Sequence, residues 1–116
     1  MATDPYLLER LRNAMQVRNV QWLDKRMFGG DCFMVDDKMC FGTFTGGLLV
    51  RIDPEQMQEL LKRTGAEQMV MHGRPMKGYI QVAPEGYDLE EDLDFWTDRC
   101  LEYNPKAKAS KKRRKA

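Results

Sequence analysis

Histidine occurs once in these 116 residues, as His72, and serine once, as Ser110. A serine–histidine hydrolase constellation therefore has no serine in the body of the chain, and His72 is the single imidazole available there. Cysteine is nearly as scarce. Cys32, Cys40 and Cys100 are odd in number and lack the close pairing of zinc ribbons and thiol redox motifs. That excludes a disulfide framework and a cysteine-based metal site, and predicts free, mostly buried thiols in a reducing compartment. No apolar run approaches the roughly 20 residues that span a bilayer, and Met-Ala-Thr-Asp-Pro has neither the cationic nor the apolar region of a signal peptide. The expectation is a soluble, cytoplasmic protein that neither enters a membrane nor is exported.

What is present in quantity is charge, and it is segregated. Residues 106–116 hold seven of the 19 basic side chains, Lys106, Lys108, Lys111, Lys112, Arg113, Arg114 and Lys115, and none of the 18 acidic ones. That segment carries +7, while residues 1–105 carry 12 basic against 18 acidic groups, a charge of −6. Such asymmetry suits either a polyanion-binding arm or a tail that visits its own acidic domain. Lacking any apolar side chain larger than alanine, residues 106–116 are expected to be disordered alone, so the division is one domain over 1–105 and a basic tail over 106–116.

Periodicity then gives the elements. Asp4-Pro5 is a helix start, and Leu7, Leu8, Leu11 and Met15 recur at helical spacing up to about Arg18 or Asn19. From residue 22 to 52 the period is that of short strands: Lys25–Phe28 stopped by Gly29-Gly30, Cys32–Val35 stopped by Asp36-Asp37-Lys38, Met39–Phe44 ending at Thr45-Gly46-Gly47, and Leu48–Ile52. Connections this short join only antiparallel neighbours. Asp53-Pro54-Glu55-Gln56 repeats the capping logic and predicts a helix over about 54–64, closed by Gly65. Residues 66–78 read as mostly irregular with a short extended piece at Met69–Met71, and Gly73-Arg74-Pro75-Met76-Lys77-Gly78 reads as a tight turn running into a fifth strand, Tyr79–Ala83. Asp88, with Glu91 three residues on, predicts the start of a third helix whose apolar face is Leu89, Leu93, Trp96, Cys100 and Tyr103, ended by Pro105. The fold class is α+β in two layers, an antiparallel sheet of about five strands with helices on one face, in the order α-β-β-β-β-α-β-α.

Two separated motifs in this sequence carry a family resemblance. Arg26-Met27-Phe28-Gly29-Gly30 before a hairpin, and Gly73-Arg74-Pro75-Met76-Lys77-Gly78-Tyr79 before a strand and a Pro-Glu-Gly turn, resemble the N-terminal domain of the TfoX/Sxy family. Between them Gly42, the Leu-Val-Arg strand and the Pro-Glu helix start are similar too, so the likeness covers about residues 5–103. Two-domain members regulate DNA-uptake competence genes together with a cyclic-AMP receptor protein, and the resemblance implies a transcription-related module of the same fold. Here a lysine-rich segment stands where their helical C-terminal domain begins, as expected of a single-domain member. The resemblance brings no catalytic residues with it.

The candidate functional residues are few. Gly29-Gly30 and Gly46-Gly47 fit no phosphate-binding loop and read as hairpin turns. No catalytic residue, metal ligand or cofactor is assigned, and the carboxylates of the third helix sit at the spacing of a solvated face. Arg74 and Lys77, on a segment shaped by Pro75 and two glycines, are candidate anion ligands, with His72 and Arg26 as further members, unless the two cations pair with the acidic third helix. The seven tail cations are candidates for sequence-independent contact with phosphate backbones. The expected function is a non-catalytic regulatory or interaction module with a protein partner, weak nucleic-acid contact through the tail, and a composition compatible with a homodimer. The alternative is a small enzyme or anion-ligand-binding protein with its site near His72, Arg74 and Lys77.

Overall fold

The computed structural model describes residues 5–27, 30–44 and 47–107. The Asp4 cap, the Phe28-Gly29 and Thr45-Gly46 pairs and the tail cations from Lys108 onward lie outside them. Helix α1 (Pro5–Val17) is followed by strands β1 (Leu23–Met27), β2 (Gly30–Val35), β3 (Lys38–Phe44) and β4 (Gly47–Arg51), a short helix α2 (Met57–Leu60), strands β5 (Ala66–Met71) and β6 (Arg74–Val82), and helix α3 (Glu90–Tyr103). All pairings are antiparallel and the sheet order is β1-β2-β3-β4-β6-β5.

The α+β class and the four-strand meander are as the sequence predicts, and the turn chemistry explains why. Asp36 and Asp37 take left-handed φ angles of 55° and 66° between β2 and β3, the two-residue hairpin turn that matches strand twist. Helix α1 ends where Asn19 turns left-handed, at φ 57°, with the Val20 N–H reaching back to the Met15 carbonyl at 3.0 Å.

Three expectations are corrected. The segment 66–78 is ordered as β5 and the first half of β6, which makes six strands instead of five. The turn lies at His72-Gly73 alone, and Arg74–Lys77 is strand. Pro75 misled because proline is a turn residue, yet this part of β6 runs past β4, which pairs only with Tyr79–Val82, so β5 is its one partner and a missing N–H on the other side costs nothing. The second helix is far shorter than 54–64. Asp53 does cap, its Oδ1 accepting from the Glu55 N–H at 3.0 Å, but Pro54–Gln56 is a 3₁₀ turn and α2 stops at Leu60 because the chain must begin pairing with β6 at Ala66. In α3 the cap is Leu89, without a side-chain bond, not Asp88: the 3₁₀ turn Pro84–Gly86 holds the Asp88 N–H on the Pro84 carbonyl at 2.8 Å. Leu89 therefore lies outside the apolar face and is exposed.

The core has two parts. Leu7, Leu11 and Met15 of α1 and Leu93, Trp96 and Cys100 of α3 pack with Phe33, Phe41, Val50 and Ile80 on one face of the sheet. The other face holds a cluster made by strands alone, Cys32, Met34, Met39, Leu49 and Met69, with Met71, Met76 and Tyr79 half-buried around it. Five of the nine methionines are there, which accounts for the methionine-rich composition: long, flexible thioethers close a surface to which no described helix contributes. The strand register shifts at Phe33/Met34 and at Gln68/Val70.

Candidate interaction surface

The β5–β6 hairpin carries the exposed chemistry. Its tip pairs Val70 with Pro75 and Met71 with Arg74 across the His72-Gly73 turn, where φ is 54° and 77°. His72, Arg74, Pro75 and Lys77 are exposed, as is Val70, at 53% of its possible surface. Alternation along a strand sends Arg74 and Lys77 to opposite faces, so the two cations flank the hairpin instead of converging on one pocket. Neither forms an ion pair with a described residue, and the clefts at Trp22 and Arg63 are lined by other side chains. Arg26 is elsewhere: β2, β3 and β4 separate its strand from β6, and its guanidinium faces Asp31 at 3.5 Å. Lys106, the one tail cation among the described residues, is exposed on the 3₁₀ turn that follows α3.

The acidic third helix does not take Arg74 or Lys77. All of its carboxylates except Glu91 are matched by other arginines, and these are the partners that sequence reading missed. Arg18 forks between Asp94 at 3.2 Å and Asp98 at 3.0 Å, tying the end of α1 to the middle of α3. Arg10 reaches Glu90 at 3.4 Å and also donates to the carbonyls of Tyr87 and Asp88, each at 3.2 Å. Arg63 meets Asp92 at 3.5 Å while its guanidinium lies 3.6 Å from the centre of the Phe95 ring, a stacked cation–π contact. Arg99 pairs with Glu102 and lies 5.0 Å from that ring. Partners some 76 to 80 residues apart along the chain leave no local signal in the sequence.

The thiols have the environment of inert side chains. All three are buried and free. Burial pushes the Cys32 thiol up to about 12, with the Asp31 charge adding to it. Burial likewise raises Cys100, helped by a hydrogen bond with Cys40. A thiol held in the neutral form is a poor nucleophile and a poor metal ligand. Among the described residues no three His, Cys, Asp or Glu side chains are grouped so as to hold a metal ion. No described helix is long and apolar enough to cross a membrane.

A sequence model of the TfoX N-terminal domain family matches residues 18–103, so the match starts at the end of α1 and takes in every strand and α3. No curated protein and no solved structure matches the chain significantly. With a match over residues 18–103 of 116, this chain belongs to the TfoX N-terminal domain family.

Proposed function

We propose that this chain is a non-catalytic interaction module that docks an acidic surface of a protein partner through the β5–β6 hairpin, in a regulatory role of the kind its family suggests. The observation that carries the reading is a contrast. The α3 acids Glu90, Asp92, Asp94, Asp98 and Glu102 have arginine partners, whereas Arg74 and Lys77 are exposed without an ion pair among the described residues. Beside them Val70 and Pro75 offer apolar area, and a few apolar contacts framed by unmatched charge are what an interface needs. The enzyme alternative has less support, because His72 sits at an exposed turn and has no hydrogen bond or ion pair to another described side chain. The test is recovery of partners from a native lysate by the full chain and by a chain lacking residues 106–116. A protein enriched by both supports the hairpin. Enrichment that vanishes with the tail, or none at all, contradicts it.

The tail adds a second activity on the ground of charge alone. Its seven cations, with no aromatic side chain to stack on bases, favour weak, sequence-independent contact with nucleic-acid phosphates. That binding falls steeply with salt and is lost on deleting residues 106–116. Binding that survives the deletion places the contact on the folded domain instead.

A further inference from the structure

The β2–β3 turn presents two carboxylates that the fold leaves unmatched. Asp36 and Asp37 are exposed and form no ion pair with a described residue. With Gln21, Trp22, Leu23 and Met34 they line a cleft of about 250 Å³. The indole there is held in place: it stacks on Phe33 with ring centres 5.1 Å apart and planes 11° from parallel, and its Nε1–H donates to Asp24 Oδ1 at 3.0 Å. A fixed indole beside two unpaired carboxylates favours a cation, since the ring and both carboxylates attract the same charge.

The fold leads the basic segment to this turn. Asn104 Nδ2 donates to the Val35 carbonyl at 3.2 Å, immediately before Asp36. On the other side of the turn, Lys38 Nζ donates to the carbonyls of Asn104 at 3.2 Å and Pro105 at 3.4 Å. Ala107, the last described residue, is buried. Beyond it come Lys108, Lys111, Lys112, Arg113, Arg114 and Lys115. At about 3.3 to 3.6 Å per extended residue, Lys111 to Arg113 can lie roughly 13 to 22 Å from Ala107.

We propose that this cleft is the docking site of the chain's own basic segment, residues 108–115, and that it seats one lysine or arginine side chain against Trp22, between Asp36 and Asp37. Charge complementarity and the position of Ala107, the last described residue, both favour this occupant. Tethering then favours the chain's own segment over any other, because a short linker gives an effective concentration in the millimolar range. The docked segment has fewer cations free for phosphate, so the cleft and a polyanion compete for it. The device is separate from the hairpin surface and stands or falls without it.

The experiment is zero-length carbodiimide cross-linking of an equal mixture of unlabelled and ¹⁵N-labelled full-length chain at low micromolar concentration. The reagent joins an aspartate carboxyl carbon to a lysine Nζ as an amide, with net loss of water that converts the carbodiimide to its urea. The expected products link Asp36 or Asp37 to Lys111, Lys112 or Lys115 within one isotopic chain. Lys108 is set aside because the tether alone keeps it close. The yield of the Asp37 links should fall about threefold in Asp36→Asn and by a similar factor in Trp22→Ala, and inorganic polyphosphate should suppress them in the native chain. Asp36→Asn alters only an exposed turn and so decides the matter even if Trp22→Ala fails to fold. Links between unlike isotopes would assign the cleft to a second copy and overturn self-docking. Links mainly to α3 carboxylates, none at all, or yields unmoved by Asp36→Asn would overturn it equally.

Discussion

Gly42 offers a sharp test of the packing described above, because the strands close on it more tightly than a side chain permits. A Cβ added there would lie 2.2 Å from the Asp31 carbonyl oxygen and 2.7 Å from the Cys32 Cα, both in the backbone of β2. Cys32 and Gly42 are cross-strand partners, so alanine cannot rotate the conflict away, and β2 must separate from β3. That movement also loosens the edge-to-face contact of Phe33 with Phe41, whose centroids are 5.6 Å apart. Overpacking of this severity costs about 3 kcal/mol. For a domain of this size that lowers the melting temperature by about 12 to 20 °C. Gly73→Ala is the control. Nothing lies within 4 Å of its added Cβ, and only the φ of 77° opposes the change, a penalty of about 1 kcal/mol. Urea and thermal unfolding of both variants give the comparison. A Gly42→Ala chain within about 1 kcal/mol of native, or one more stable than Gly73→Ala, would refute the described closure of β2 on β3.

Two further predictions follow from the same packing. The Arg18 side chain is 20% exposed and bridges two half-exposed aspartates. Arg18→Ala should therefore cost about 1 to 2 kcal/mol in urea unfolding, and the deficit should shrink as salt screens the native pairs; a deficit indifferent to salt would contradict the ionic account. The buried Cys32 thiol has its pKa raised from the ordinary 9.0 to about 12, so its contribution to stability is complete below pH 9 and is lost as pH rises toward 12. Each such thiol adds about 1.4 kcal/mol of destabilisation per pH unit in that window, and Cys32→Ala should remove one such slope from the alkaline unfolding profile. An unchanged slope, or alkylation of Cys32 in the native protein at the rate of a small free thiol, would refute the burial argument.

Local signals carried much of the fold. The Asp36-Asp37 turn and the short glycine connections specify an antiparallel meander whatever lies around them, and the stripe of α1 is read from four residues. The β5–β6 hairpin was hidden because His72-Gly73, Pro75 and Gly78 all carry turn chemistry, and only the ladder between Val70–Met71 and Arg74–Pro75 distinguishes a turn from a strand. Helix α2 was overestimated because its cap and apolar spacing are sound, while its length is set by the distance to the β6 partner of Ala66. For the site, Arg74 and Lys77 were identified by type, but their placement on opposite faces depends on the strand assignment. The Arg10, Arg18 and Arg63 pairings and the Trp22 cleft depend on long-range contact and had no signal to find.

On the proposal made above, the exposed hairpin, and not a catalytic pocket, is the working surface. The most direct test is quantitative capture of a partner by the native chain, by Arg74→Glu/Lys77→Glu and by Arg26→Glu, each with its melting curve. Reversal of the two hairpin charges should cut capture about tenfold without moving the melting temperature, while Arg26→Glu, three strands away, should leave capture unchanged. Capture unaffected by the hairpin reversal, or lost equally with Arg26→Glu, would contradict the account.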